Sequence, residues 1–297
     1  MSFPRFQRTL AAPVKVEGFG YWSGKDVEVE FRPAEVDAGI VFVRKDLPAR
    51  PRIAVSPENR LEIPRRTSLG TGNGRVEMVE HVLAALAGMW VDNCEIHVTA
   101  AEMPGLDGSA YPFVAAFDSV GYVTQEVPVH GLAVREGFRI EEHAKRWMEV
   151  TPLATPELSI SFEIHYDRKS CIGDQFLHWT LHPETFRREI APCRTFVTQQ
   201  EAQQILDIGL AKRATYHDLL VFNENGPIDN TLRFPNECVR HKILDLLGDL
   251  TLGGVNFYGH IHGYCSGHDL NVRLVRQLLL QTEPHQNGET YPAWGVA

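Results

Sequence analysis

His241-Lys242-Ile243-Leu244-Asp245-Leu246-Leu247-Gly248-Asp249 spaces three acid–base side chains at i, i+4 and i+8. In a helix, His241, Asp245 and Asp249 therefore share one face. A His and an Asp one turn apart can give two ligands to a single metal ion. Lys242 adjoins that face, while Leu244, Leu247 and Leu250 fall elsewhere and are free to pack. Spacing alone leaves a plainer reading open, an ion pair on an ordinary surface helix.

An earlier stretch repeats the pattern. Val79-Glu80-His81-x-Leu83-x-x-Leu86-x-Gly88 matches Val239-Arg240-His241-x-Ile243-x-x-Leu246-x-Gly248 at an offset of 160 residues. The echo predicts two α+β domains of similar topology, each bringing one histidine to a shared cleft. A composition change near residues 122–130 puts their boundary at 125, giving domains 1–125 and 126–297.

Element signals fit that division. In the first half, Val27–Phe31 alternates as a strand, and Gly39–Val43 and Cys94–Thr99 also read as strands. Residues 46–65 are Pro-rich and read as loop. Thr71-Gly72-Asn73-Gly74 reads as a hairpin turn. Glu77–Met89 is predicted helical through Val79, Val82, Leu83 and Leu86, and Ala110–Val120 is a second helix. In the second half, strands are predicted at Gly131–Ile140, Trp147–Pro152, Leu158–Tyr166, Phe176–Leu181, Asp218–Phe222 and Asn256–Tyr264. Helices are predicted at Pro183–Ile190, Gln199–Leu206, Asn236–Leu252 and Asp269–Thr282.

The 297 residues suffice for one large core or two ordinary ones. A net charge of -9, without a Lys/Arg run, speaks against a nucleic-acid partner. The five cysteines contain no CxxC, which fits a reducing cytoplasm better than a disulfide framework. Met1–Gly20 lacks the apolar core of a signal peptide. The longest apolar run, about Val82–Val91, is too short to span a bilayer. Any lipid contact is therefore expected to be peripheral, from the aqueous side.

His81, His241 and Asp245 together make a catalytic-type zinc shell, two imidazoles and a carboxylate with one position open. Zinc lowers the pKa of a bound water to about 7. Glu80 adjoins one ligand and can serve as general base, and Lys242 adjoins another and can stabilise an oxyanion. The common HExxH signature is absent. His268 follows a Gly at a strand-to-helix turn, where an Asp partner, with Asp249 the candidate, suits it to general acid work. His260 and His262 alternate on one strand face without a third partner. His217-Asp218 reads as surface. Gly18–Gly24 reads as a Gly-rich turn between strands, and a phosphate-cradling role rests on that turn alone. Unconnected helical polar residues remain the alternative to a joint site.

Beyond spacing, the ordered motifs carry a resemblance. Val79–Gly88 with Asp92-Asn93, and Leu106-Asp107-Gly108-Ser109-Ala110-x-Pro112-Phe113, resemble motifs of the UDP-3-O-acyl-N-acetylglucosamine deacetylases, zinc amidases of lipid A biosynthesis. Arg194-Thr195-Phe196, Arg240–Leu250 and Ser266-Gly267-His268-x-Leu270-Asn271 look like the later motifs. Gly18-x-Gly20-x-x-Ser23-Gly24-Lys25 and Arg32-Pro33-Ala34 also fit, so the similarity runs from about Arg8 to Leu280. It implies two α+β domains of like topology with the active site between them. It implies Zn2+ on His81, His241 and Asp245, with Glu80 as base and His268 as acid oriented by Asp249. Lys242 and Thr195 would help bind substrate and the tetrahedral oxyanion, and Phe196 would line the substrate pocket. The implied substrate is a UDP-linked acylated amino sugar that loses its 2-acetyl group, and the protein is expected to be a cytoplasmic monomer.

Three positions depart from the pattern: Trp22 replaces a usual His, Cys265 replaces a usual Lys or Arg, and Arg213–Asp218 replaces a Gly/Ser-rich run. The second and third keep two alternatives open, a paralogue acting on another N-acetyl sugar and a non-catalytic zinc-containing sugar- or lipid-binding relative. A structural zinc would require four closed protein ligands rather than three and a base.

Overall fold

The computed structural model describes residues 5–166 and 170–281. Two sheets of the same topology dominate it. In the first, strands run in the order Val14–Phe19, Asp26–Pro33, Cys94–Val98, Ile40–Arg44, Arg52–Ala54. The central strand Cys94–Val98 is antiparallel to Asp26–Pro33 and parallel to Ile40–Arg44. In the second, the order is Phe138–His143, Arg146–Thr151, Asn256–Tyr264, Leu158–Ile164, Gln175–Thr180. Its central strand Asn256–Tyr264 is likewise antiparallel to one neighbour and parallel to the other. Each sheet is a hairpin, a central strand and a second hairpin, so the echo in the sequence is an echo in the fold.

Helices cover these sheets. Glu80–Gly88 precedes the first central strand and Tyr111–Val120 follows it. Glu237–Leu250 precedes the second and His268–Leu280 follows it. Alternation builds the first core: Val27, Val29 and Phe31 point inward, and Phe31 meets Phe113 and Phe117 edge-on at 5.9 and 4.9 Å. Glu28 points outward, to Lys15 and Lys45. In the second sheet Ile160, Phe162 and Ile261 form the inward rows.

The His81 helix packs directly on the His241 helix. A Cβ at Gly248 would fall 2.1 Å from the carbonyl oxygen of Glu80, and one at Gly88 would fall 2.2 Å from the Phe186 ring. The glycine that ends each copy of the repeated motif is thus a packing requirement, set by close approach of backbone to backbone or to an aromatic ring.

Each sheet carries an insert just ahead of its histidine-bearing helix, Glu80–Gly88 or Glu237–Leu250. The first is a small sheet of Arg60–Leu61, Ser68–Thr71 and Gly74–Glu77. The second is Phe196–Thr198, Leu220–Asn223 and Gly226–Pro227, with the helix Gln199–Asp207 between its first two strands. The Gly72-Asn73 turn closes the first insert as its sequence suggests. The helix of the second insert is held by a reciprocal Thr198–Glu201 capping box.

Several expected elements differ. Residues 46–65 are not all loop, because Arg52–Ala54 pairs as an edge strand and Arg60–Leu61 joins the first insert. Gly131–Ile140 is two strands, since the chain changes partner between Gly131–Ala133 and Phe138–His143. Pro183–Ile190 is one short turn of α-helix followed by a π-turn. Asp218 lies outside the strand expected at 218–222, because its carboxylate caps the turn at Thr215 instead. Residues 122–128 pair with Phe6–Leu10 as a ladder. The closing helix ends at Leu280, and Thr282 lies outside the described residues. Among the described residues, no helix is long and apolar enough to cross a membrane.

Candidate metal and active site

The two ligand helices bring His81 and His241 edge-to-face, with ring centroids 5.0 Å apart. One ligand atom from each of His81, His241 and Asp245 lies within 4.8 Å of the others, and all three residues are buried. Asp245 Oδ1 is 3.2 Å from His241 Nε2 and 3.8 Å from His81 Nε2. His241 Nδ1 donates to the Cys193 carbonyl at 3.0 Å, which turns its Nε2 toward the cluster. Burial, then the neighbouring His241, push His81 down to about 3, the neutral form that a ligand needs. Burial works against the Asp245 carboxylate, yet His241 and Lys242 hold it well below the usual carboxylate range. Two imidazole nitrogens and a carboxylate, buried and convergent, fit zinc.

Glu80 is fully enclosed at the first turn of its helix. Its Oε2 accepts from the Thr67 backbone N–H at 2.9 Å. Burial raises its carboxyl to about 7, against the pull of His268. His268 stands across from it, Nε2 to Oε1 3.9 Å. Its Nδ1 donates to Asp249 Oδ2 at 2.9 Å, and Asn271 Nδ2 donates to the same oxygen at 2.8 Å. Burial disfavours the imidazolium, but the charge and hydrogen bond of Asp249 outweigh it and carry His268 up to about 9. One carboxyl and one imidazole are thus poised for opposite proton transfers.

Both groups follow a strained backbone position. Met78 (φ 58°) precedes Glu80, and Cys265 (φ 50°) precedes Ser266-Gly267-His268. Neither is a glycine, and such left-handed residues cluster at functional sites.

A cavity of about 890 Å³ opens over these side chains. Lys242 and Thr195 line it, and Lys242 Nζ also pairs with Asp245 Oδ2 at 2.6 Å. Phe196 lines it too, 6.3 Å from the His241 ring. Ile205, Leu206, Leu219 and Val221 make another stretch of the wall apolar. The Asp107-Gly108-Ser109 motif is a support. Thr195 N donates to the Gly108 carbonyl at 2.7 Å, and a Cβ at Gly108 would press on Thr195 and the Asp218 carbonyl. Behind Thr195, Arg194 and Glu237 form a buried ion pair at 2.8 Å.

Three further histidines considered from the sequence lie outside the cluster. His260 and His262 share the sheet face opposite Ile261, and Ser159 and Glu163 satisfy them at 3.2 and 2.8 Å. His217 is exposed. The Gly18–Gly24 turn is anchored by Glu102, which accepts from the Trp22 and Ser23 amides at 2.8 Å each.

Thr67 and Arg146 enter the site without having been singled out by sequence, and Asn271, part of the last quoted motif, without having been given a role. Asn271 lies one helical turn after His268, a spacing that could have marked it. Thr67 and Arg146 sit outside the helical pattern. Arg146 Nε reaches the Cys265 carbonyl at 3.2 Å, so a cation stands beside the position where the sequence lacks one. The second insert meets the Gly-rich turn beside two departures from the family pattern: Ala211 N bonds the Trp22 carbonyl, and Arg213 Nη1 bonds the Gly24 carbonyl at 3.1 Å and Asp26 at 2.6 Å. Arg66 stacks over the Trp22 ring at 4.5 Å.

A buried His–His–Asp cluster, a carboxyl beside it and a paired imidazole opposite, all beneath one cavity, are the parts of a metal-assisted hydrolase. Residues 7–280 match the family model described as LpxC: UDP-3-O-acyl N-acetylglycosamine deacetylase. A protein named UDP-3-O-acyl-N-acetylglucosamine deacetylase from Chlamydia felis is 38% identical over 94% of this chain and 99% of its own length. Proteins of the same name from Syntrophus aciditrophicus and Nostoc sp. are each 38% identical, over 94% and 92% of this chain and 87% and 98% of theirs. The chain belongs to this deacetylase family, and with it to the hydrolases.

Proposed function

We propose that this chain is a zinc-dependent amidohydrolase that removes the 2-acetyl group of UDP-3-O-acyl-N-acetylglucosamine, releasing acetate, in lipid A biosynthesis. One observation carries the reading: three convergent buried ligands, a base and a paired acid lie under a single cavity with polar and apolar walls.

His81, His241 and Asp245 would hold the metal. Zinc bound there supplies Lewis acidity toward water and the amide carbonyl. Glu80 takes the proton from the attacking water, its raised basicity suiting that step near neutral pH. His268 stays protonated through its pairing with Asp249 and gives a proton to the departing sugar nitrogen. The C–N bond breaks as that nitrogen leaves as a free amine. Lys242 and Thr195 face the carbonyl oxygen as negative charge builds on it. Phe196 and the apolar wall receive the acyl chain, while Arg146 offers a guanidinium to the anionic diphosphate in the place that Cys265 leaves without a cation.

We divide the chain into domains 1–125 and 126–297, since each sheet with its two helices repeats one topology on either side of that point. Both halves of the site come from one chain, so we take the monomer as the working unit. We take the location as cytoplasmic, a reading that the proposed nucleotide-linked substrate supports.

The deciding assay measures free amine released from the acylated UDP-sugar and from UDP-N-acetylglucosamine without the acyl chain. Turnover is expected with the first and far less with the second. Equal rates on the two would reject the lipid A assignment.

A further inference from the structure

We propose that Thr67 is a positioning residue that ties the general base to the general acid, its amide holding one and its hydroxyl the other. The inference rests on reading Glu80 as base and His268 as acid.

Thr67 is 0% exposed and lies in the first insert, immediately before the strand Ser68–Thr71. Its backbone N–H donates to Glu80 Oε2 at 2.9 Å. Its hydroxyl contacts Asp249 Oδ1, and Thr67 Oγ1 is 3.2 Å from His268 Nδ1. A hydroxyl has one hydrogen to give and lone pairs to accept. An ionised carboxylate only accepts, so the Thr67 hydrogen goes to Asp249. The Thr67 oxygen is then left as an acceptor, and His268 Nδ1 must be the donor. That N–H is therefore shared between Thr67 Oγ1 and Asp249 Oδ2, the latter 2.9 Å away.

The consequence is that Nδ1 keeps its proton whether the ring is charged or has given up the proton on Nε2. With its proton on Nδ1 held by two acceptors, His268 presents Nε2 toward Glu80 Oε1, 3.9 Å away. Thr67 also braces the carboxylate that orients the ring, with Asn271 bracing its other oxygen. Since Thr67 is β-branched, its side chain has little χ1 freedom and no solvent to turn toward. A residue of the first insert thereby sets the geometry between a base on the first ligand helix and an acid at the start of the closing helix. Proton transfers are steep functions of such geometry.

The test compares Thr67→Val, which keeps shape and amide but removes the hydroxyl, with Thr67→Ser, which restores it. Thr67→Val should lower kcat by about 10- to 100-fold, the weight of one hydrogen bond to a charged group, with KM and metal content unchanged. Thr67→Ser should recover kcat to within about 3-fold of the unmutated protein. The His268 Nδ1–H proton resonance, assigned by its loss in His268→Gln, should move in Thr67→Val and return in Thr67→Ser. Should Thr67→Val fail to fold, Thr67→Ala carries the same comparison. Thr67→Ser as slow as Thr67→Val, or a resonance that does not move when the hydroxyl is lost, overturns the role of Thr67. The resonance is read without substrate. An unmutated protein that releases no amine overturns the functional reading instead, so the two failures are distinct.

Discussion

The α-carbon of Gly248 stands so close to the Glu80 backbone that a methyl group placed on it would lie 2.1 Å from the Glu80 carbonyl oxygen. The two ligand-bearing helices are therefore in backbone contact, one residue from His81 on one side and three from Asp245 on the other. Gly248→Ala should force them apart. A loss of about 2 kcal/mol or more in denaturant unfolding is expected, by analogy with other overpacked cores. Weaker metal binding should accompany it in a competition titration. An unchanged unfolding midpoint would show that the helices can part without cost.

Glu80→Gln removes a base but none of the three ligands. Bound metal, measured by elemental analysis, should match the unmutated protein, while turnover falls by roughly 10²- to 10⁴-fold. Parallel loss of metal and activity would instead make Glu80 part of the metal shell.

The pH profile follows from two shifts of opposite use. Glu80, lifted to about 7 by burial, acts only when ionised, so the rate should fall as pH drops below that range. A cation held by His81, His241 and Asp245 favours the Glu80 carboxylate and moves this limb lower. His268, carried by Asp249 to about 9 against the cost of burial, acts only when protonated, so the rate should fall again as pH rises through that value. Asp249→Asn should move the alkaline limb downward. A profile flat across pH 8 to 10 in both proteins would remove His268 as the acid.

Arg194 supports the site from behind. Glu237 is 0% exposed and accepts from the Arg194 guanidinium at 2.8 and 3.2 Å. Arg194→Ala strands that carboxylate without its charge partner, and such losses run to about 3–5 kcal/mol. Urea unfolding should register it, and Thr195 next to it should lose its register along the cavity wall.

Much of this was legible in the sequence because periodicity encodes it. The i, i+4, i+8 spacing of His241, Asp245 and Asp249 put them on one face, and the repeated His–Leu–Gly pattern anticipated two like units. His81 could be paired with His241 only through that repeat, because nothing local to residues 79–88 names a distant partner. The inserts were harder. Arg60–Leu61 is a two-residue strand among prolines and charges, too short to show alternation. Thr67 gave no signal, since its function comes from contacts 182 and 201 residues away in the chain. Arg146 was hidden for the same reason: a hairpin residue gains meaning only when Cys265 folds beside it.

The repeated architecture also divides labour. The parts of the site that obey the pseudo-symmetry, one histidine on each of the helices Glu80–Gly88 and Glu237–Leu250, are those proposed to hold the metal. The parts that break it are the inserts, and their contributions differ. The first supplies Thr67 beside Glu80 and His268, and the second supplies Phe196 and the apolar wall. Selectivity can thus drift through one insert while the reactive centre stays fixed. The altered run Arg213–Asp218 lies in that second insert, where Arg213 bonds the Gly24 carbonyl and Ala214, Thr215 and Tyr216 line the cavity. A scaffold of this kind allows a lineage to exchange the tail it accepts without reinventing how it cuts.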